Sequence, residues 1–318
     1  MLQITENQVQ EIISMEMALS ALREAYKECA EGKIYAGGRI FMPIRGQENV
    51  GQWLVANCTE KPYFGAKFSS VFPQNVPTLP SVISKVSLYS AVTGELQALI
   101  DANYLTAIKT GGSAAIVTDL MAKKDASKLG IIGSGLQAYS QALAIQEVRN
   151  ITELYVYDVN PERVENFIYQ IRKIQNHPYK IIASTTADEC VAQSDIICTC
   201  TTSLTPVFSG SALKPGTHIN AIGSFTSFMQ ELDEDTVMKS NKIITEHKEG
   251  FWDVAGDLII PLNKGLISKD KLTGTVGEVL TRKISTREND NEITLYESVG
   301  SGVLDIALSI EIYEKFNQ

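Results

Sequence analysis

Apolar side chains recur at helical spacing through residues 6–31 (ENQVQEIISMEMALSALREAYKECAE), and the run stops at Gly32. That period predicts one or two amphipathic helices at the start of the chain. The pattern then shortens to extended segments: GRIFMPI, GQWLVANC, FGAKFSSVF, SVISKVSLYSA and ELQALIDA. Turn formers such as RGQEN and VTGE separate them, which predicts a mostly antiparallel sheet. Residues 105–123 (LTAIKTGGSAAIVTDLMAK) return to helical spacing. Gly111 and Gly112 weaken a helix interior by about 1 kcal/mol each relative to Ala, so they imply close packing against backbone or ligand.

After the polar linker KKDASK, apolar runs alternate with helical stretches: LGIIGSG, ELYVYD, KIIAS, SDIICTCT, HINAIGS and NKIITE. Apolar strands alternating with helices predict an α/β, doubly wound parallel sheet of the Rossmann type, beside a smaller α+β domain. VLDIALSIEIYEKF closes the chain as an amphipathic helix expected to pack back on the first domain. The expected boundaries are 1–118 for a substrate-binding and dimerisation domain, completed by 299–318, and 119–298 for the dinucleotide-binding domain.

The junction of the first parallel strand and its helix carries Gly133, Ser134, Gly135, Leu136, Gln137 and Ala138, a G-x-G-x-x-A pattern. Gly133 permits the tight turn, Gly135 lets backbone approach a pyrophosphate, and Ala138 lets helix and strand pack closely. The helix N-terminus would then face the phosphates with unpaired N–H groups. Asp158 ends ELYVYD 20 positions after Ala138, where a carboxylate can take the adenosine ribose hydroxyls and repel a 2′-phosphate. NAD(H) is thus favoured over NADP(H), although Arg163 stands where it could accommodate the phosphate. Thr201, Thr202, Gly223 and Ser224 follow later strands and belong to the same cleft by topology, or serve as ordinary turn formers.

Charge narrows the partners. The 318 residues carry 28 Lys and Arg against 37 Asp and Glu, a net charge of -9. Nucleic acid and anionic membranes are therefore unfavoured partners. With no apolar run near the roughly 20 residues of a membrane span and no signal-peptide pattern, a cytoplasmic protein is expected. Five scattered cysteines suit reduced thiols better than a disulfide framework, and the Cys198/Cys200 pair lacks neighbouring ligands for a metal. His177, His218 and His247 form no catalytic constellation and read as structural.

Together, LTAIKTGGSAA, LGIIGSGLQA, HINAIGS followed by ELD, and VGSGVLDIAL resemble the ornithine cyclodeaminase and mu-crystallin family, in order and across most of the chain. The resemblance implies a homodimer acting on a small amino or imino acid, with a Rossmann domain for a nicotinamide cofactor. It also implies that Arg39, Lys67 and Lys109 bind the substrate carboxylate, and that Thr110 and Val299 approach the cofactor. Family activities include ornithine cyclodeamination, reduction of cyclic ketimines such as 1-pyrroline-2-carboxylate, alanine dehydrogenation and opine-like synthesis.

Two departures choose among them. Where cyclodeaminases carry an aspartate after the HINAIG-like strand, this chain has Phe225; where they carry a glutamate before Lys67, it has Gln52. Amine oxidation needs a base for its proton, whereas reducing a ready-made ketimine needs a held carboxylate and a proton for the imine. The resemblance and these two losses favour reduction of a cyclic ketimine carboxylate, 1-pyrroline-2-carboxylate to L-proline, with Lys67 relaying the proton and Phe225 and Trp53 as apolar walls. Ornithine cyclodeaminase, an alanine dehydrogenase-like enzyme and a non-catalytic cofactor-binding protein are the alternatives.

Overall fold

The computed structural model describes residues 1–45, 49–58, 60–75, 78–173 and 179–318; His177 lies outside the described residues. The chain divides into two compact units, Met1–Lys109 with Ser301–Gln318, and Thr110–Gly300. The expected boundary at 118 and this division at 109 both fall within one helix, Asn103–Met121.

In the first unit, β1 (Leu2–Ile4) precedes α1 (Glu6–Ile12) and α2 (Met15–Ala30). Then follow β2 (Ile34–Ile44), β3 (Asn49–Cys58), β4 (Tyr63–Val71), β5 (Val82–Ser90) and β6 (Leu96–Asp101), which leads into α3 (Asn103–Met121). The six strands form one sheet in the order β1-β6-β5-β4-β3-β2. Neighbours from β2 to β6 are antiparallel, and β1, unforeseen because a three-residue strand carries almost no periodic signal, pairs parallel with β6.

Period-two alternation gives this sheet two unlike faces. Leu54, Ala56, Val86 and Leu88 point to a buried face. Over it lies α11 (Gly302–Phe316), which packs on β3, β4, β5 and α2. Gly302 permits that approach: a Cβ there would lie 3.0 Å from the Val55 carbonyl oxygen.

The second unit continues with β7 (Lys128–Ile132), α4 (Leu136–Gln146), β8 (Glu153–Tyr157), α5 (Pro161–Arg172), β9 (Lys180–Ala183), α6 (Ala187–Gln193), β10 (Ile196–Thr199) and β11 (His218–Ala221). It ends with α7 (Glu234–Lys239), β12 (Lys242–Thr245), α8 (Phe251–Val254), α9 (Gly256–Asn263), β13 (Gly274–Thr275), α10 (Val276–Leu280) and β14 (Thr294–Glu297). The eight strands are all parallel, in the order β13-β12-β14-β11-β10-β7-β8-β9. β10, β11, β12 and β14 are buried at every position, as expected of a sheet covered on both faces. Several of the polar residues in them are paired: His218 Nδ1 meets Thr294 Oγ1 at 2.9 Å, and Asn220 Nδ2 donates to Thr118 Oγ1 at 3.0 Å. Burial drives the His218 pKa down to about 3, so this histidine is a neutral structural group.

From β7 the chain winds to β8 and β9 on one side, then crosses to β10 on the other. The reversal between β7 and β10 opens the crevice where ligands of such sheets bind. Gly111 has a packing reason of its own, since a Cβ there would sit 2.5 Å from the Ser140 carbonyl oxygen. The glycine lets α3 and α4 cross with their backbones nearly touching.

Candidate active site

In the first unit a row of cross-strand partners runs Arg39, Leu54, Lys67, Val86 over β2 to β5. Beside it runs Phe41, Gln52, Ser69, Ser84. Both rows are on the face under α11. Arg39 reaches it through an irregularity: Ile34 and Ala36 pair with buried-face positions of β3, and a register shift between Ala36 and Arg39 brings Arg39 opposite Leu54. Regular alternation from Ile34 would turn Arg39 to the other side; the extra residue in the Gly37-Gly38 stretch re-aims it, a common use of a β-bulge.

Lys67 and Lys109 are 5% and 3% exposed, and they converge on one carboxylate that sequence reasoning missed. Asp305, on the first turn of α11 and fully buried, takes Lys67 Nζ at 2.8 Å on one oxygen and Lys109 Nζ at 3.0 Å on the other. The available signal was a carboxylate in the otherwise apolar run VLDIAL. Burial pushes the Lys67 ammonium down, Asp305 partly restores it, and Lys109 and Arg39 push it down again, leaving a pKa of about 8. For Asp305, burial pushes upward but the charges of Lys109 and Lys67 outweigh it, holding the carboxyl below its usual value.

Gln52 supports Arg39. With its amide oxygen toward the guanidinium, it accepts from Nε and Nη1, both at 3.2 Å. Arg39 also lies 5.7 Å from the centre of the Phe41 ring. Ser69 and Ser84 close the buried polar patch with a 2.8 Å hydroxyl pair. The buried ammoniums of Lys67 and Lys109 share the one carboxylate of Asp305, with the half-buried Arg39 on the same face, and a cationic patch of that kind suits an anionic ligand. The wall role for Trp53 is corrected: it alternates onto the sheet's other face, packing on Phe68 with ring centres 4.7 Å apart.

In the second unit the residues of the glycine pattern occupy the switch-point crevice. Gly133 has φ of +89°, and a Cβ there would meet the Cys200 carbonyl oxygen and Thr201 Cγ2, each at 2.8 Å. A side chain is thus excluded by backbone conformation and by space. Gly135 is exposed, and a Cβ there would meet nothing within 4 Å, leaving open room above the helix start. As N-cap of α4, Gly135 brings no side-chain oxygen to the first-turn N–H groups. Ala138 is fully buried between helix and sheet, while Leu136 is 66% exposed and Gln137 half-buried. This cradle fits a dinucleotide pyrophosphate, with residues 133–138 to hold it.

Asp158 stands at the end of β8, half-buried, beside the loop. Its Oδ2 accepts from the Ser134 N–H at 2.8 Å and hydroxyl at 2.9 Å, and Oδ1 accepts from the Asn160 N–H at 2.9 Å. A carboxylate has about four acceptor positions, so capacity remains for a ribose hydroxyl. Arg163 is exposed on α5, and Thr202 is exposed after β10. Thr110, on α3, and Gly223, after β11, are half-buried. Ser224 is buried and its hydroxyl already donates to the Met229 carbonyl at 3.1 Å, so that hydroxyl is committed to the loop. Phe225 follows it in the same loop.

Two further carboxylates shape the crevice. Glu231, fully buried, accepts from the Thr199 hydroxyl at 2.7 Å, the Thr201 N–H at 2.6 Å and the Gly223 N–H at 2.7 Å, tying together the ends of β10 and β11. It belongs to the ELD motif, which runs into α7, where Asp233 is the cap and Glu234 and Asp235 fall in the first turn. Glu246 accepts from the Ser298 hydroxyl at 2.6 Å and from the N–H groups of Val299 and Gly300 at 3.3 and 3.1 Å. Gly300 has φ of +83°, so this carboxylate braces a glycine-dependent turn at Val299.

Fold and sites define a class: a dinucleotide-binding protein with a second, cation-lined unit suited to a small carboxylate. The family model described as ornithine cyclodeaminase/mu-crystallin family matches residues 1–318, and the chain belongs to that family. It is 33% identical over 316 residues to a Delta(1)-pyrroline-2-carboxylate reductase of Bacillus thuringiensis subsp. konkukian (strain 97-27), covering 99% of this chain and 96% of the relative. Among solved structures, the Delta(1)-pyrroline-2-carboxylate reductase of Thermococcus litoralis, in complex with NADH and L-proline, matches with a TM-score of 0.95 at 32% identity, covering 99% of this chain and 97% of the other. An archaeal alanine dehydrogenase dimer with bound NAD matches with a TM-score of 0.91 at 30% identity, covering 99% and 95%.

Proposed function

We propose that this protein reduces the C=N bond of a small cyclic imino acid, 1-pyrroline-2-carboxylate, to L-proline, with NADH as the favoured reductant. The observation that carries the proposal is the pair of buried lysines, Lys67 and Lys109, sharing the carboxylate of Asp305 on the sheet face that also carries Arg39. Gln52 stands where a base for an incoming amine would be needed. The likeness to reductases of this substrate, one of them holding NADH and L-proline, supports the same reading.

Residues 133–138 and Asp158 would hold the nicotinamide cofactor, which when bound would supply the hydride for the imine carbon. Arg39 and Lys109 hold the substrate carboxylate. Lys67, with a pKa of about 8, is charged at neutral pH yet releases a proton far more readily than an ordinary lysine. It donates that proton from Nζ to the imine nitrogen, so that one hydride and one proton complete the amine.

We further infer a homodimer. The sheet face away from α11 exposes Tyr35, Ile40, Met42, Phe64 and Ile83, an apolar surface of the kind that pairs subunits. The alanine dehydrogenase neighbour is a dimer.

The test follows loss of reduced cofactor absorbance with 1-pyrroline-2-carboxylate and with pyruvate plus ammonia, and release of ammonia from ornithine, whose cyclodeamination leaves the cofactor unchanged overall. Turnover of the cyclic imine at kcat/KM at least about a hundredfold above the other two is expected. Ammonia-dependent oxidation of NADH with pyruvate, at a kcat/KM equal to or above that of the imine, would make it an alanine dehydrogenase instead. Light scattering of the purified protein should report twice the chain mass.

A further inference from the structure

We propose that Asp305 is a positioning residue for the proton transfer: by sharing its carboxylate between Lys67 and Lys109 it fixes the Lys67 ammonium in place and keeps it charged until substrate arrives. This rests on the reading of Lys67 as proton donor. The geometry is direct. Asp305 takes one lysine on each oxygen, at 2.8 and 3.0 Å, and is fully buried. Gly302, one turn earlier on the same helix face, packs against β3 and fixes how deep the carboxylate reaches.

The charged groups facing Lys67 come from three elements: Asp305 on α11, Lys109 on α3 and Arg39 on β2. Among the described residues, Asp305 is the anion of this group. Without it, the buried ammoniums of Lys67 and Lys109 would face each other beside the half-buried Arg39, and like charge and burial together would strip the proton from Lys67. Lys109 acts in the opposite sense, because it competes for the same carboxylate and repels the Lys67 charge. Substrate carboxylate adds a second anion, so the charge pattern around Lys67 changes on binding.

The experiment compares wild type, Asp305→Asn and Lys109→Gln in two readouts. One is the pH profile of kcat for cyclic imine reduction. The other is the NMR titration of Lys67 in lysine-labelled protein, assigned by its loss in Lys67→Arg. Wild type should titrate near 8. Asp305→Asn should move both the NMR midpoint and the alkaline limb of kcat down by at least about one unit, a tenfold change in proton affinity. Lys109→Gln should move both upward. Opposite shifts from two neighbours are not an effect of general destabilisation, and the upward shift remains readable if Asp305→Asn fails to fold. An NMR midpoint that stays put in Asp305→Asn, or that moves down in Lys109→Gln, would overturn the proposal. Midpoints that move while the kcat limb stays would overturn the donor role of Lys67, and with it the catalytic meaning assigned to Asp305.

Discussion

The carboxylate of Asp158 is bound to Ser134 twice, through the backbone N–H at 2.8 Å and the hydroxyl at 2.9 Å. The acid expected to read the cofactor ribose therefore also fixes the shape of the phosphate loop. Asp158→Ser should lose both effects, raising the KM for NADH about tenfold or more while lowering the NADH to NADPH preference. Ser134→Ala should weaken both cofactors alike, because it leaves the carboxylate in place. Initial rates with each cofactor check this, and an unchanged preference in Asp158→Ser would remove that residue from cofactor selection.

Gln52 holds Arg39 without neutralising it. Gln52→Glu would place a carboxylate on the guanidinium and compete with the substrate's own, so KM for the imino acid should rise about tenfold with the KM for NADH unchanged. Arg39→Ala should raise it more sharply. Equal loss for both substrates would indicate a damaged fold.

Glu231 ties three donors at the ends of β10 and β11. Glu231→Gln presents a donor where acceptors are needed, leaving buried groups unpaired at a cost of about 1 to 3 kcal/mol. Chemical denaturation should show that loss, and titration with NADH should show weaker binding, since Thr201 lies against Gly133 in the loop at residues 133–138.

Glu297 ends β14 fully buried, and neither carboxylate oxygen has a hydrogen-bond partner among the described residues. Burial, then the charges of Asp257, Glu231 and Glu246, raise its pKa well above the usual range. Burial first, and Glu231 next, push Asp257 up to about 8. Both groups hold protons in the folded state that the unfolded chain releases near pH 4, so stability falls as pH rises from about 4 toward and beyond 8. Glu297→Gln removes one of these liabilities. Its melting temperature should match wild type near pH 4 and exceed it at pH 8 to 9, by a stabilisation of at least about 1.4 kcal/mol, the worth of one pH unit. An equal difference at both pH values would refute the assignment.

Apolar runs such as KLGII and HINA announce parallel strands buried on both faces, and the glycine pattern announces the turn between β7 and α4, because each depends on a few adjacent residues. Arg39, Lys67 and Lys109 are legible through family motifs, and Thr201 and Gly223 through strand topology. Sequence reasoning did not find Asp305, which is 238 positions from Lys67 by subtraction (305 − 67) and sits within a helix that otherwise reads as apolar packing. Trp53 was misplaced for a related reason: it neighbours Gln52 in the chain, but adjacent residues of a strand face opposite ways.

By itself, then, the sequence determined the two classes of sheet, the phosphate-binding turn and a family's cations, all written in local pattern or recognisable motif. Tertiary structure alone decided which charges meet. Packing α11 onto β3 and β4 brings Asp305 between Lys67 and Lys109, and the bulge after Ala36 turns Arg39 to the same face. Charge interaction depends on distance in space, and no separation along the chain predicts that distance.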